Sequence, residues 1–308
     1  MAKTNLTKTT DIDVTAREID FVSRFTRNWD ALREIMGIMR PIKKQSGTTL
    51  RSYTASLTLQ SGAVGEGEEI PYSKATITEA TKEDVTIEKY AKAVTIEDVS
   101  KYGADVAIEK TDEAFLNELQ NNVLTRFYAF LGTGTLTFYA STFQKALAQA
   151  KGKVLSMFQG MRKTVTDVVG FVNTNDLYEY LGETPITVQT AFGVSYVKDF
   201  LGYKTLFLCA DADLPQGKVI AVPVENIDLY YIDPSAPEFK KLGLDYRVDG
   251  ETPLIGFHAN GDYSHAVGES FALMGMRLWA EYLNGIAVGT IGSAPENPTN
   301  NNENPLGA

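Results

Sequence analysis

A single cysteine, Cys209, stands in a chain of 308 residues. It excludes an internal disulfide and any cysteine-cluster metal site, and it suits a reducing compartment. The run around it, LFLCADAD, is apolar and brings no local base, so the thiol reads as a small buried hydrophobe rather than a nucleophile. Histidine is nearly as scarce: His258 and His265 are the only two. They flank Asp262 across Asn260 and Gly261, a loop composition, and a metal site there is short of a clear third protein ligand. The structural alternative is a turn carrying two surface or subunit-interface imidazoles.

Other absences narrow the function further. No stretch of 18 apolar residues occurs, and the opening MAKTNLTKTTDIDVTARE has no apolar core, so neither a spanning helix nor a signal peptide is expected. Asn5-Leu6-Thr7 matches a glycosylation acceptor, which has no role without secretion. GxxxxGK[ST] is missing, which argues against a packaging ATPase. The pairs Gly65-Glu66-Gly67 and Gly132-Thr133-Gly134 lack the third glycine and the preceding strand of a dinucleotide fold. Asp211 and Asp213 precede Leu214-Pro215, where two carboxylates ahead of a turn ordinarily just solvate it. A formal charge of -10 and a pI of about 4.9 leave no basic footprint for gripping phosphates. Such a surface is compatible with containing nucleic acid without binding it.

What is present is a globular chain, 44% hydrophobic, long enough for one elaborate domain or two ordinary ones. Residues 1 to 12 are polar. Thr15 and Glu18 form a capping-box pattern ahead of a helix carrying Ile19, Val22, Phe25, Trp29, Leu32, Ile35, Met36 and Met39, which Pro41 is expected to stop. That stripe fits ordinary core packing or an arm docked on a neighbour. Arg24, Arg27, Arg33, Arg40, Lys43 and Lys44 read as a solvated face.

From Gly47 to Ser100 the chain reads as a long hairpin excursion. In TTLRSYTASLTLQ the residues Tyr53, Ala55, Leu57 and Leu59 alternate with polar ones. In EDVTIEKYAKAVTIED the apolar parity switches between Ile87 and Tyr90, which predicts a bulge or twist. The intervening SGAVGEGEEIPYSKATITEATK is too long for a hairpin turn and too polar for a core of its own. A two-stranded ribbon is marginal alone in water, so another chain is its expected partner.

After Gly103 a long helix is expected, with Ile108, Phe115, Leu119, Val123, Phe127, Phe130 and Leu131 on one stripe, ended by Gly132 and Gly134. Ser141 or Thr142 caps a second helix bearing Phe143, Leu147, Ala150, Val154 and Phe158. TDVVGFVN reads as a buried strand, and Asn175 caps DLYEYL, which Gly182 ends. SYVKDFLGYKTLFLC, GKVIAVP and NIDLYYID read as three strands, and KLGLDYRVDGETPLIGFHAN as two more. In ESFALMGMRLWAEYLNGIAVGTI the alternation of Ala272, Met274, Met276, Leu278 and Ala280 favours a strand, while the spacing of Leu273, Met276 and Ala280 keeps a helix open.

GEGEEIPYSKATITEATKEDVTIEKYAKAVTIEDVS, followed by a long amphipathic helix, resembles the extended loop and spine helix of tailed-bacteriophage major capsid proteins. AEYLNGIAVGTI resembles the terminal strand of many of them. The resemblance is to the Hong Kong 97-type capsid fold, which encapsulins share, and it covers nearly the whole chain. It implies an α+β fold with an N-terminal arm at 1–46 and an extended loop at 47–100. A peripheral domain at 101–134 and 236–291, an axial domain at 135–235 and a disordered tail at 292–308 would follow. The implied function is self-assembly through pentamers and hexamers into an icosahedral shell around double-stranded DNA, a virion capsid assembled in the host cytoplasm. No enzymatic activity, cofactor, metal or membrane is expected. The expected interface residues are Gly65, Glu66, Gly67, Glu68, Glu69, Ile70, Pro71, Tyr72 and Trp29. The short run before the first helix leaves no room for a built-in scaffolding segment, so a separate scaffolding protein is expected, with a portal protein. Two alternatives remain: an encapsulin-like compartment around protein cargo, and a metal-dependent enzyme using His258, Asp262 and His265.

Overall fold

The computed structural model describes residues 16–36, 39–182, 187–191, 193–224, 226–248, 250 and 253–293. The expectations for residues 1 to 12, for Thr15 and for the tail beyond 293 lie outside them, as do the side chains of Leu32, Ile35 and Met36. In chain order the elements are α1 (Ala16–Met36), β1 (Met39–Lys44), β2 (Thr49–Leu57), β3 (Ala75–Asp84), β4 (Glu88–Thr95), α2 (Ile96–Tyr102) and α3 (Thr111–Leu131). Then come β5 (Leu136–Ala140), α4 (Phe143–Gly160), β6 (Val168–Asn173), α5 (Thr174–Leu181), β7 (Gln189–Ala191), β8 (Val194–Lys198) and β9 (Thr205–Cys209). The last are β10 (Lys218–Pro223), β11 (Ile227–Ile232), α6 (Pro237–Lys241), β12 (Ile255–Asp262), β13 (Val267–Ala280) and β14 (Ala287–Ile291). The chain divides into two compact units, one of residues 1–26, 41–109 and 229–277, the other of 27–40, 110–228 and 278–308.

The first unit is built on a sheet in the order β1-β11-β13-β12, with β4 also paired to β13. Residues Val267 to Met274 are antiparallel to β12 on one side and to β4 on the other. The first turns of α1 pack on this sheet: Phe21 stacks on Phe257 with ring centroids 4.0 Å apart, and Phe21, Val22 and Phe25 are buried. This part of α1 is therefore core packing, and its stripe runs through Phe21 rather than the exposed Ile19. Glu18 accepts a hydrogen bond from the Ala259 amide at 2.7 Å, and Arg17 donates to Ser270 Oγ at 2.7 Å.

Met39 and Pro41 belong not to α1 but to β1. Proline is tolerated there because β1 lies at the edge of its sheet, where a missing N–H breaks no central ladder. Lys43 is likewise not simply solvated, since its ammonium pairs with Asp233 at 2.5 Å. Burial alone would push the Asp233 carboxyl up, but Lys43 and the hydroxyl and amide of Ser235 together hold it below the usual carboxylate range. A depressed carboxylate contributes stability that is present above its unfolded pKa and lost as pH falls through its folded one. The advantage of the native chain over Asp233→Asn is therefore expected to be full above about pH 5 and to vanish on further acidification. Lys43 is half exposed, so the plateau is only about 1 kcal/mol. Denaturant titrations of both proteins from neutral to acidic pH measure it.

The second unit holds a seven-stranded sheet in the order β5-β14-β10-β6-β9-β8-β7. Every residue of β6 is buried. One parity, Val168 and Val172, joins the core under α4, to which Phe143, Ala146, Leu147, Ala150, Val154 and Phe158 contribute at helical spacing. The other parity carries Phe171, stacked on Phe207 at 5.2 Å and edge-on to Phe127 and Tyr128 of α3 at 5.8 and 6.0 Å. Helices thus cover both faces of the sheet's centre, which explains a strand with no polar side. Gly170 is needed here because a Cβ would sit 2.7 Å from Leu206 Cδ1 and 3.1 Å from the ring of Tyr203, whose hydroxyl donates to the Leu147 carbonyl. Arg40 is also paired, with Asp228 at 2.8 Å and Glu281 at 3.4 Å.

Several sequence expectations change. The long helix is preceded by a turn of π-helix, Asp105–Lys110, and α3 buries Leu116 and Tyr128 where Phe115 and Phe130 were expected. Asn173, not Asn175, caps α5. SYVKDFLGYKTLFLC is two strands, β8 and β9, and the stretch before β12 offers only the isolated bridge Arg247 to Phe257. The final segment is strand, as its alternation favours, but it divides into β13 and β14. β14 lies in the seven-stranded sheet, between β5 and β10.

Candidate functional site

The Gly47 to Ser100 stretch resolves into a ribbon and a separate strand. β2 and β3 form a two-stranded sheet of their own, while β4 leaves it to pair with β13. The parity switch is thus a break between two strands, at Val85 to Ile87. The bulge lies elsewhere, between Ser52 and Tyr53 in the ribbon.

Only the root of the ribbon is embedded: Leu50 and Val85 are buried, Val85 bonds to Thr48 through its amide, and Glu83 of β3 is ion-paired with Arg277. Beyond the root the register sets Tyr53 opposite Glu79, Ala55 opposite Ile77 and Leu57 opposite Ala75. Directly opposed residues share a face, so Tyr53, Ala55, Leu57, Ala75 and Ile77 form an apolar face. Nothing within the subunit covers it, and Ile77 is 67% exposed. Sequence reading found half of this face. Its other half was missed because ATITEATK is polar overall, although its β-branched Thr76, Ile77 and Thr78 were the available signal.

At the tip, the Gly65 amide donates to Glu68 Oε2 at 2.8 Å, the Glu68 amide donates to the Gly65 carbonyl, and Gly67 takes φ of 86°, a left-handed turn. Glu66, Glu69, Ile70, Pro71 and Tyr72 are exposed, Tyr72 by 90%. Trp29, expected with them, is elsewhere: it is only 4% exposed within its own subunit and offers no face to a neighbour.

The histidines are not brought together. His258 lies on β12 with Nδ1 3.4 Å from Glu18 Oε1, whereas His265 sits in the turn after β12 with Nδ1 2.5 Å from Asp262 Oδ2. Ser264 completes a serine, histidine and aspartate trio, but its hydroxyl is 2.9 Å from the same Nδ1 and also donates to Asp262. A nucleophilic triad needs the two ring nitrogens to face different partners. The Ser264 hydroxyl, then His265, hold the Asp262 carboxyl below its usual range, as a turn does when its side chains bond locally. Asp211 accepts from the Asn173 side chain at 2.6 Å, and burial pushes Asp213 up. Burial likewise pushes the Cys209 thiol up to about 12. Among the described residues no group of three or more His, Cys, Asp or Glu is placed to hold a metal, and no helix is long and apolar enough to cross a membrane.

No family model and no curated protein matches the sequence. Solved structures do. The mature capsid of bacteriophage PhiM1 aligns over 85% of this chain and 87% of its own, with TM-score 0.55 and 8% identity. A chain of Mycobacterium phage Patience aligns over 96% and 95%, with TM-score 0.54 and 9% identity. The SrpI encapsulin of Synechococcus elongatus aligns over 93% and 91%, with TM-score 0.50 and 11% identity. At such identities the likeness speaks for the fold, and over nearly its whole length this chain has the α+β fold of the tailed-phage capsid type that encapsulins share.

Proposed function

We propose that this chain is a major capsid protein whose copies close into an icosahedral shell around double-stranded DNA. The observation that carries the proposal is the ribbon: a two-stranded sheet with an uncovered apolar face has no stable place in water unless another surface covers it. In a closed shell every subunit meets identical neighbours, so one such face per chain is repeated at every contact. The N-terminal arm, the extended loop and the peripheral and axial domains are read in these terms, with β14 assigned by its sheet to the axial side. The same proposal includes pentamers and hexamers, a separately encoded scaffolding protein, a portal and assembly in the host cytoplasm.

The function proposed is structural, without turnover. The double variant His258→Ala, His265→Ala is expected to form particles within about three-fold of the native yield, since half-exposed and exposed polar groups are replaced. Loss of a measurable catalytic turnover in that variant would contradict the reading. Electron microscopy of the chain expressed with its neighbouring genes tests the shell directly. Nuclease-protected DNA inside is the expected content, and a protein cargo in its place would move the assignment to a compartment of the encapsulin kind.

A further inference from the structure

A cavity of about 480 Å³ opens on the first unit, lined among others by Glu18, Lys240, Asp245, Arg247 and His258. Its acid floor is already engaged: Glu18, 4% exposed, takes the Ala259 amide and lies beside His258. At the rim Lys240 and Asp245 stand 3.5 Å apart, both strongly exposed, a pair worth little in water. Arg247 has no acid partner among the described residues. The segment leading to it exposes Leu242 by 75% and Leu244 by 43%, and its only ladder contact is the single bridge from Arg247 to Phe257. The rim therefore presents two leucines, then an unpaired guanidinium, on a backbone largely free to accept an added strand.

The ribbon tip presents the complement. Glu66, Glu68 and Glu69 precede the exposed Ile70, Pro71 and Tyr72, and no cation follows until Lys74. Three residues separate Glu69 from Tyr72, and three separate Leu244 from Arg247. Laid antiparallel, acid meets base and aromatic ring meets leucine. We propose that the cavity receives residues 66 to 72 of a second copy of this chain, with the Glu69 carboxylate on Arg247 and Ile70 and Tyr72 against Leu244 and Leu242. The second copy is required because these tip residues stand exposed in their own subunit. The assignment rests on the inter-subunit reading of the ribbon and gives it an address. A small free anion fits less well, since it leaves the leucines uncovered.

The test is a charge swap in the full chain, with assembly followed by sedimentation and folding by thermal unfolding. Glu69→Arg and Arg247→Glu alone are each expected to cut the assembled fraction about ten-fold, and the double variant to recover to within about three-fold of native. If either charge variant unfolds early, Tyr72→Ser, at a fully exposed position, replaces it and is expected to impair assembly in the same way. Single variants that assemble like the native chain, or a folded double variant no better than the singles, overturn the pairing. If ribbon truncation still blocks assembly in that event, the shell reading stands and only the address is wrong; a truncated chain that assembles normally overturns both.

Discussion

Replacing Thr54 to Thr78 with an Asn-Gly turn is expected to leave a subunit that folds normally and cannot assemble. The register supports the surgery, because Tyr53 and Glu79 are opposed and a two-residue turn closes such a pair. Almost every residue removed is exposed, whereas the embedded Leu50 and Val85 remain. Stability should therefore change by no more than about 1 kcal/mol, the scale of altered loop closure. Assembly loses Leu57, Leu59, Ile70, Tyr72 and Ile77 at every interface. Covering roughly 300 Å² of that apolar surface is worth at most about 7 kcal/mol per subunit at about 25 cal/mol per Å², and ordering costs still leave a few. A loss of 3 kcal/mol per contact is about a hundred-fold in association, compounded over a closed shell. Thermal unfolding beside sedimentation separates the outcomes. A monomer that no longer folds would place the ribbon in the subunit's own core, and normal assembly would remove its inter-subunit role.

Phe171→Ala is expected to act in the opposite way, by undoing the subunit before assembly begins. Phe171 is fully buried at the centre of the seven-stranded sheet and touches three other rings, Phe127, Tyr128 and Phe207. Truncation leaves a cavity between sheet and helix, and such changes cost about 3 to 5 kcal/mol. That is a large part of the 5 to 15 kcal/mol typical of a folded domain. Denaturant unfolding should show the shift, with soluble subunit yield falling in parallel. A change under about 1 kcal/mol would mean that the neighbouring rings close over the gap.

The two substitutions also mark what was legible in the sequence. The α4 stripe and the wholly apolar β6 could be read because their patterns are local: helical spacing in one, no polar residue in the other. The alternation in β13 was enough to choose strand over helix for the same reason. β4 was legible as a strand but not as a partner of β13, since that pairing joins residues more than 170 positions apart and leaves no mark on the nearby sequence. Met39 and Pro41 misled because the helical spacing of apolar residues continues into β1 across the end of α1. Glu18 fitted a capping box, but the structure turns its carboxylate to the Ala259 amide, a tertiary use that a local motif cannot disclose. At the candidate site the acidic tip was legible from composition. The apolar face was not, because it takes the register of two strands to place Leu57, Ala55 and Ile77 on one side.

The buried thiol has a practical consequence for following assembly. Cys209 lies at the end of β9 with its proton held firmly by burial, so at neutral pH it offers almost no thiolate to an electrophile. The native subunit is thus silent towards maleimides. A variant such as Tyr72→Cys gives each subunit one fluorescent handle at the tip of its ribbon, and energy transfer between mixed donor and acceptor subunits can then report the approach of neighbours as a shell closes.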